Sequence, residues 1–231
     1  MTGHRVRVVE RVGGRLQLRF EQRVEPGTTL DFGRGGSISI GVDPIDDKVS
    51  RRAVTVGALR RGWQVAPTNR SGVVLHLWGL SPYPIGRVET VGWHRVGVRV
   101  LGDPGLEHWI LLEDAADYTS GVDAAATSGT EVTSRPRRLT DEQREAVGVV
   151  FGQLLTWPPT VDARVLLIKQ AASRVGRSAT AVQGRLDGVR AKALALGLGR
   201  TPELTDPEYL YVLVRAGYVE LRPEDVDPLI A

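Results

Sequence analysis

Cysteine is absent from the 231 residues. A disulfide framework and a thiolate zinc site are therefore excluded, and nothing ties the chain to an oxidising compartment. Long apolar runs are missing too. None approaches the roughly 20 residues needed to cross a bilayer, and Met1 to Phe20 alternates charged and apolar residues where a secretory leader would be continuously apolar. No membrane partner is expected, and the expected location is cytoplasmic. Histidine is scarce, and His4, His76, His94 and His108 lack metal-ligand spacing. The acidic run Asp43 to Asp47, DPIDD, lacks the oxygen-ligand array of a calcium loop and reads as a turn. The glycine-rich GRGG from Gly33 is followed by no Gly-Lys-Ser/Thr and opens no helix, so it is not a phosphate-binding P-loop. With no nucleophile elbow and no kinase-type set, an enzyme is the least supported class. No cofactor and no small-molecule ligand are expected.

What the chain does have is segregated charge. Residues 1 to 100 carry 16 Lys/Arg against 8 Asp/Glu, and residues 101 to 134 carry 0 against 7. Residues 135 to 200 carry 12 against 5, and residues 201 to 231 carry 2 against 7. Two basic blocks separated by an acidic one point to anionic partners or to domains that attract each other.

The first block has the period of strands. RVRVVE and RLQLRF flank Gly13-Gly14, a hairpin signal that places Val6, Val8, Leu16 and Leu18 on one core face. Further short strands are expected over 29–32, 37–40, 53–59, 63–66, 73–78, 88–91, 96–101 and 109–112. So many short strands without a helical period predict a sandwich or barrel. Gly33-Arg34 ends one of these runs, Ser50-Arg51 precedes another, and Asn69 to Gly72 forms the turn after a third. Three loops would then meet at one end of a β-domain, offering guanidinium, hydroxyl and amide donors with no obvious base. Such a set suits an anion. A planar arginine fork meets a phosphate with two parallel charge-assisted bonds.

The order and spacing of GR, SR and the NxxG-type turn resemble a forkhead-associated (FHA) domain over roughly residues 5 to 113. The resemblance implies a β-sandwich of about a hundred residues that reads phosphothreonine in partner peptides. It implies that Arg34 grips the phosphate, that Ser50 adds a hydroxyl hydrogen bond, and that Arg51 touches phosphate or peptide. Asn69, Ser71 and Gly72 fall where the family has Ser-x-Asn-Gly, so the peptide-orienting asparagine is displaced or replaced by Ser71. Ala53 stands where the family has a histidine that buttresses the loops.

From Glu113 to Arg138 the sequence is poor in large apolar residues, the composition of a flexible linker, with Thr119, Thr127, Thr130 and Thr133 near acids. Phosphorylated there, the linker would be a ligand for its own N-terminal domain. Helical periodicity begins at Leu139. Thr140 and Gln143 have capping-box spacing before Val147, Val150, Phe151 and Leu154. A second helix is expected from about Val161 and a third from about Ala179. Between them, Ala172, Gly176 and Val182 are similar to the helix-turn-helix pattern of small residue, turn glycine and apolar pin. If DNA is bound, Thr180 and Gln183 face the major groove and Arg174, Arg177, Arg185 and Arg190 serve phosphates. The same pattern also fits an αα-corner in a bundle. A fourth helix is expected to start at Pro207, after Asp206, and to stop at Gly217, followed by a short strand or edge over 218–221 and a solvated acidic tail.

The expected architecture is thus α+β in two domains. An all-β FHA-like sandwich spans 1–113, a flexible linker 114–138, and a small helical, helix-turn-helix-like domain 139–231. The expected partners are a threonine-phosphorylated protein and, through the helices, DNA. A non-catalytic adaptor or regulator is the favoured reading; the alternative is an interaction module whose FHA-like domain no longer needs phosphorylation.

Overall fold

The computed structural model describes residues 3–114 and 136–230. Most of the expected linker and its four threonines therefore lie outside the described residues. The chain divides into two compact units: one takes the described residues within Met1–Trp78, Pro82–Ala116 and Asp227–Ala231, the other those within Gly79–Ser81 and Asp117–Val226.

The first unit is built of strands. These are β1 (His4–Val12), β2 (Arg15–Val24), β3 (Thr29–Gly33), β4 (Ile38–Ser39), β5 (Val54–Ala58) and β6 (Trp63–Pro67). Then come β7 (Val73–Leu77), β8 (Tyr83–Ile85), β9 (Glu89–Val91), β10 (Arg95–Val100) and β11 (Leu106–Glu113). They form a six-stranded sheet in the order β2-β1-β11-β10-β7-β8 and a five-stranded sheet in the order β4-β3-β5-β6-β9. The sheets meet where the His4 ring of β1 lies 5.1 Å from Trp63 of β6. Val6, Val8, Phe32, Val56, Val65, Leu75, Val98 and Ile110 are buried in this unit. Alternation in the sequence produces this arrangement because every second side chain of a strand points to the same face.

The first hairpin forms as expected, and Gly13 and Gly14 take φ of 57° and 79°, which side-chain-bearing residues resist in a two-residue turn. Its apolar face differs from the expectation. Val6 and Val8 are buried, whereas Leu18 is 37% exposed. The pairing of β1 with β2 shifts register between Val8 and Val9, and β2 is an edge strand. One displaced residue turns the following side chains to the other face.

The second unit contains α1 (Asp141–Leu155), α2 (Ile168–Arg174), α3 (Ala179–Ala195) and α4 (Pro207–Arg215). Thr140 and Gln143 close a reciprocal capping box on α1. Phe151 and Tyr209 meet edge-on at 5.4 Å among Val150, Leu154, Leu186, Val189 and Leu213, all buried. The second helix starts seven residues later than expected, at Ile168. The backbone before it makes a turn, with Ala163 N–H donating to Thr160 O at 3.3 Å, and then bonds to α1: Arg164 N–H donates to Gln153 Oε1 at 3.0 Å and Leu166 N–H to Val150 O at 2.9 Å. No strand forms over 218–221; Val226 instead makes an isolated parallel bridge with Trp157. The tail is not wholly solvated either, since Ile230 is buried and its carbonyl accepts from the Arg7 guanidinium. Among the described residues no helix is long and apolar enough to cross a membrane.

Candidate functional site

Three loops of the β unit converge. They join β3 to β4, β4 to β5, and β6 to β7. Gly33 opens the first, and only glycine fits there: a Cβ would lie 2.4 Å from Arg51 O and 2.8 Å from Ala53 N. The close approach is fixed by backbone bonds, with Arg34 N–H donating to Ser50 O at 3.1 Å and Gly35 N–H to Arg51 O at 2.9 Å. Thr68 N–H donates to Ala53 O at 2.9 Å, which brings in the third loop.

Asn69 is the bracket that holds the second and third loops. It is 8% exposed, its Oδ1 accepts from Ser50 N–H at 2.8 Å, and its Nδ2 donates to Gly72 O at 3.0 Å and Leu101 O at 2.8 Å. Both ends of its amide are thus bonded to the loops. Asn69 therefore positions Ser50, and unlike Ser50 it does not line the cleft. Gly72 completes that turn with φ 106° and does not line the cleft.

The loops enclose a cleft of about 590 Å³ lined by Arg34, Asp47, Lys48, Ser50, Arg51, Arg52, Thr68, Arg70 and Ser71. Of the six residues singled out in the sequence, Arg34, Ser50, Arg51 and Ser71 line it together. Lys48, Arg52, Thr68 and Arg70 escaped sequence reasoning although each is a neighbour of a residue that was named. The signal was the density of donors in DKVSRR and TNRS. Ser50 Oγ accepts from Arg70 N–H at 3.1 Å, which leaves its hydroxyl proton directed elsewhere. Ser71 Oγ donates to Lys48 O at 3.1 Å.

Arg34 is oriented by its own chain. Its Nε donates to Val49 O at 2.7 Å, so the Nη1/Nη2 end of the fork is what remains for a ligand. Nη1 holds Asp47 Oδ1 at 2.7 Å, and that carboxylate is 85% exposed. An incoming dianion would exchange with a solvated carboxylate. Lys48 pairs with Asp103 at 2.8 Å, which raises its pKa. Among the described residues, Arg51, Arg52 and Arg70 are exposed and make no recorded ion pair.

A buried charge network, whose members are far apart in the chain, adjoins the cleft through Asp46 and Lys48. His108 Nδ1 is 2.8 Å from Glu10 Oε1 and its Nε2 is 2.8 Å from Asp46 Oδ2. Burial alone would lower the His108 pKa, but the hydrogen bonds and charges of the two carboxylates outweigh it and raise it. Burial would raise the carboxylates, and bonds from His108, Gly41 N–H, Asp103 N–H, Lys48 N–H and Arg19 bring both below their usual range. Asp46 fixes the loop through Lys48 N–H at 3.0 Å and Asp103 N–H at 2.8 Å, and Glu10 anchors Gly41 N–H at 2.8 Å. Asp46 is thus a structural anchor. Ala53, fully buried, stands between strands with its N–H on Phe32 O at 2.7 Å.

In the helical unit, Ala172 and Val182 are buried, Gly176 has φ 60°, and Ser178 Oγ caps α3 at Ala181 N–H, 3.1 Å away. Arg174, Arg177, Thr180 and Gln183 are exposed around this turn. Arg185 and Arg190, also expected to serve phosphates, are engaged within the unit. Arg185 bonds Glu145 at 2.7 Å, and Arg190 bonds Asp187 at 2.6 Å and Pro202 O at 3.0 Å.

Among solved structures, the FHA domain of a Chlamydia trachomatis protein matches with 17% sequence identity, over 48% of this chain and 99% of that chain, at a TM-score of 0.36. A likeness that slight carries no weight of its own. No family model matches the chain, and no curated protein matches it.

Proposed function

We propose that the β unit is an FHA-like module that binds a phosphothreonine segment of a partner protein, and that the chain is a non-catalytic adaptor. The observation that carries this reading is the convergence of Arg34, Ser50, Arg51 and Ser71 in one cationic cleft. A phosphate monoester brings nearly two negative charges and strong acceptor oxygens. The Nη end of Arg34 supplies the fork, the Ser50 hydroxyl supplies a further donor, and Arg51 neutralises the remaining charge. Titration of the full chain with a degenerate peptide pool, phosphorylated or not at a fixed threonine, tests it. Preference for the phosphorylated pool supports the reading, and equal binding overturns it.

For the helical unit the proposal is DNA contact through Arg174, Arg177, Thr180 and Gln183, supported by their exposure around the glycine turn. Loss of affinity with rising salt, measured by anisotropy on duplex DNA, is the expected outcome. Binding of protein alone would favour the bundle reading of the same helices.

A further inference from the structure

One phosphate does not use all the positive charge of the cleft. Arg34, Lys48, Arg51, Arg52 and Arg70 line it against the single carboxylate of Asp47. Asp103 offsets Lys48, and Asp47 offsets Arg34 until a ligand displaces it. A phosphothreonine that takes Arg34, Ser50 and Arg51 leaves Arg52 and Arg70 as exposed guanidinium groups in the same concavity. Their backbones belong to two loops that are bonded to each other: Thr68 Oγ1 donates to Arg52 O at 3.0 Å, and Arg70 N–H donates to Ser50 Oγ at 3.1 Å. Two exposed arginines on tethered backbones lining the same cleft repel any basic flank and attract a second anion.

We infer that the ligand is a doubly anionic segment, in which the phosphothreonine is accompanied by a second anionic group, carboxylate or phosphate, that binds Arg52 and Arg70. This rests on the phosphothreonine reading of the cleft and specifies what lies beside the phosphate. The side chains of Arg52 and Arg70 then act as specificity determinants, because an acidic flank gains two charge-assisted contacts and a basic flank meets like charge.

Anisotropy titrations of the full chain against four labelled peptide pools separate the possibilities. The pools carry phosphothreonine with neutral flanks, with Asp/Glu flanks or with a neighbouring phosphoserine, and unphosphorylated threonine with Asp/Glu flanks. The acid-flanked phosphothreonine pool should bind about fivefold more tightly than the neutral-flanked one, the sum expected of two partly exposed ion pairs. If the phosphoserine pool gains more than the Asp/Glu pool, the second group is a phosphate; if the gains are equal or reversed, a carboxylate suffices. In the R52Q/R70Q variant that gain should vanish while the preference for phosphorylated threonine persists. Both side chains are exposed, so the variant should retain the parent denaturation midpoint. Equal binding of neutral- and acid-flanked phosphothreonine pools, or a gain that survives in R52Q/R70Q, overturns the inference and leaves the phosphothreonine reading standing. Absence of any preference for phosphate overturns both.

Discussion

The cleft of the β unit and the turn between α2 and α3 are written in similar language, Ser50-Arg51-Arg52 in one and Ser173-Arg174-Val175-Gly176-Arg177 in the other. Their charges are deployed differently. In the cleft, backbone and side-chain bonds gather donors from three loops around one concave space, and Arg51, Arg52 and Arg70 have no recorded ion-pair partner among the described residues. In the helical unit, two of the four arginines expected to meet DNA are bonded to Glu145 and Asp187. Availability for a ligand is therefore set by which carboxylates the fold brings within reach. A count of arginines does not reveal it.

The comparison breaks most completely if the scaffold of the cleft is removed. His108→Ala would leave Glu10 and Asp46 buried without their shared partner, and breaking a buried ionic network costs about 3 kcal/mol or more. A lowered urea midpoint of the β unit, followed by tryptophan fluorescence, is expected together with weakened peptide binding. Because the His108 pKa is raised from 6.5 in the fold, its contribution is complete below 6.5 and fades as pH climbs through the raised value. Glu10 and Asp46, lowered from 4.5 and 3.8, contribute above those values and lose their contribution as pH falls through the lowered ones. The stability gap between parent and His108→Gln should thus be widest between pH 4.5 and 6.5. His76 provides the contrast. Burial pushes its pKa down to about 3 from 6.5, so it favours unfolding progressively as pH falls through that interval.

Removing the bracket comes next. Asn69→Ala would strand Ser50 N–H and the Leu101 carbonyl, each a polar group whose desolvation costs about 1–3 kcal/mol. The expected result is weaker phosphopeptide binding with the helical unit unchanged, read as two separate unfolding transitions.

On the other side of the comparison, the salt dependence of DNA binding should distinguish arginines that look alike in sequence. Arg177→Ala should reduce the slope of log affinity against log salt by about 0.9, the value for one phosphate contact. Arg185→Ala, whose guanidinium is already bonded to Glu145, should leave the slope unchanged. A reversed order would show that the ion pair opens on binding.

The smallest expected effect is a gain. Asp47→Asn removes the carboxylate that holds the Arg34 fork, and since that pair is solvent-exposed the phosphopeptide should bind only about two- to threefold more tightly.

Strand positions were legible because alternation and turn residues are local signals, and the starts of α1 and α4 were legible from Thr140 and Asp206, whose side chains cap them. The strand β8 was missed because it is three residues long with Pro84 at its centre. The late start of α2 depends on bonds to α1, a tertiary choice that periodicity does not register. In the cleft, glycine, serine and arginine spacing located the loops. It did not show Asn69 as a bracket, since an amide bonded to the loops and a ligand-facing one have the same sequence. The Glu10–His108–Asp46 network was out of reach for a different reason. Its members come from three separate segments, and each has an ordinary local reading as strand or turn residue.

Isothermal calorimetry of the parent chain and Arg34→Ala with one phosphothreonine peptide and its unphosphorylated twin tests the central claim most directly. The account predicts that the parent binds only the phosphorylated peptide appreciably and that Arg34→Ala weakens this by at least about tenfold, the loss of charge-assisted bonds worth roughly 1.5–3 kcal/mol each. Equal heats for the two peptides, or an affinity untouched by Arg34→Ala, would contradict it.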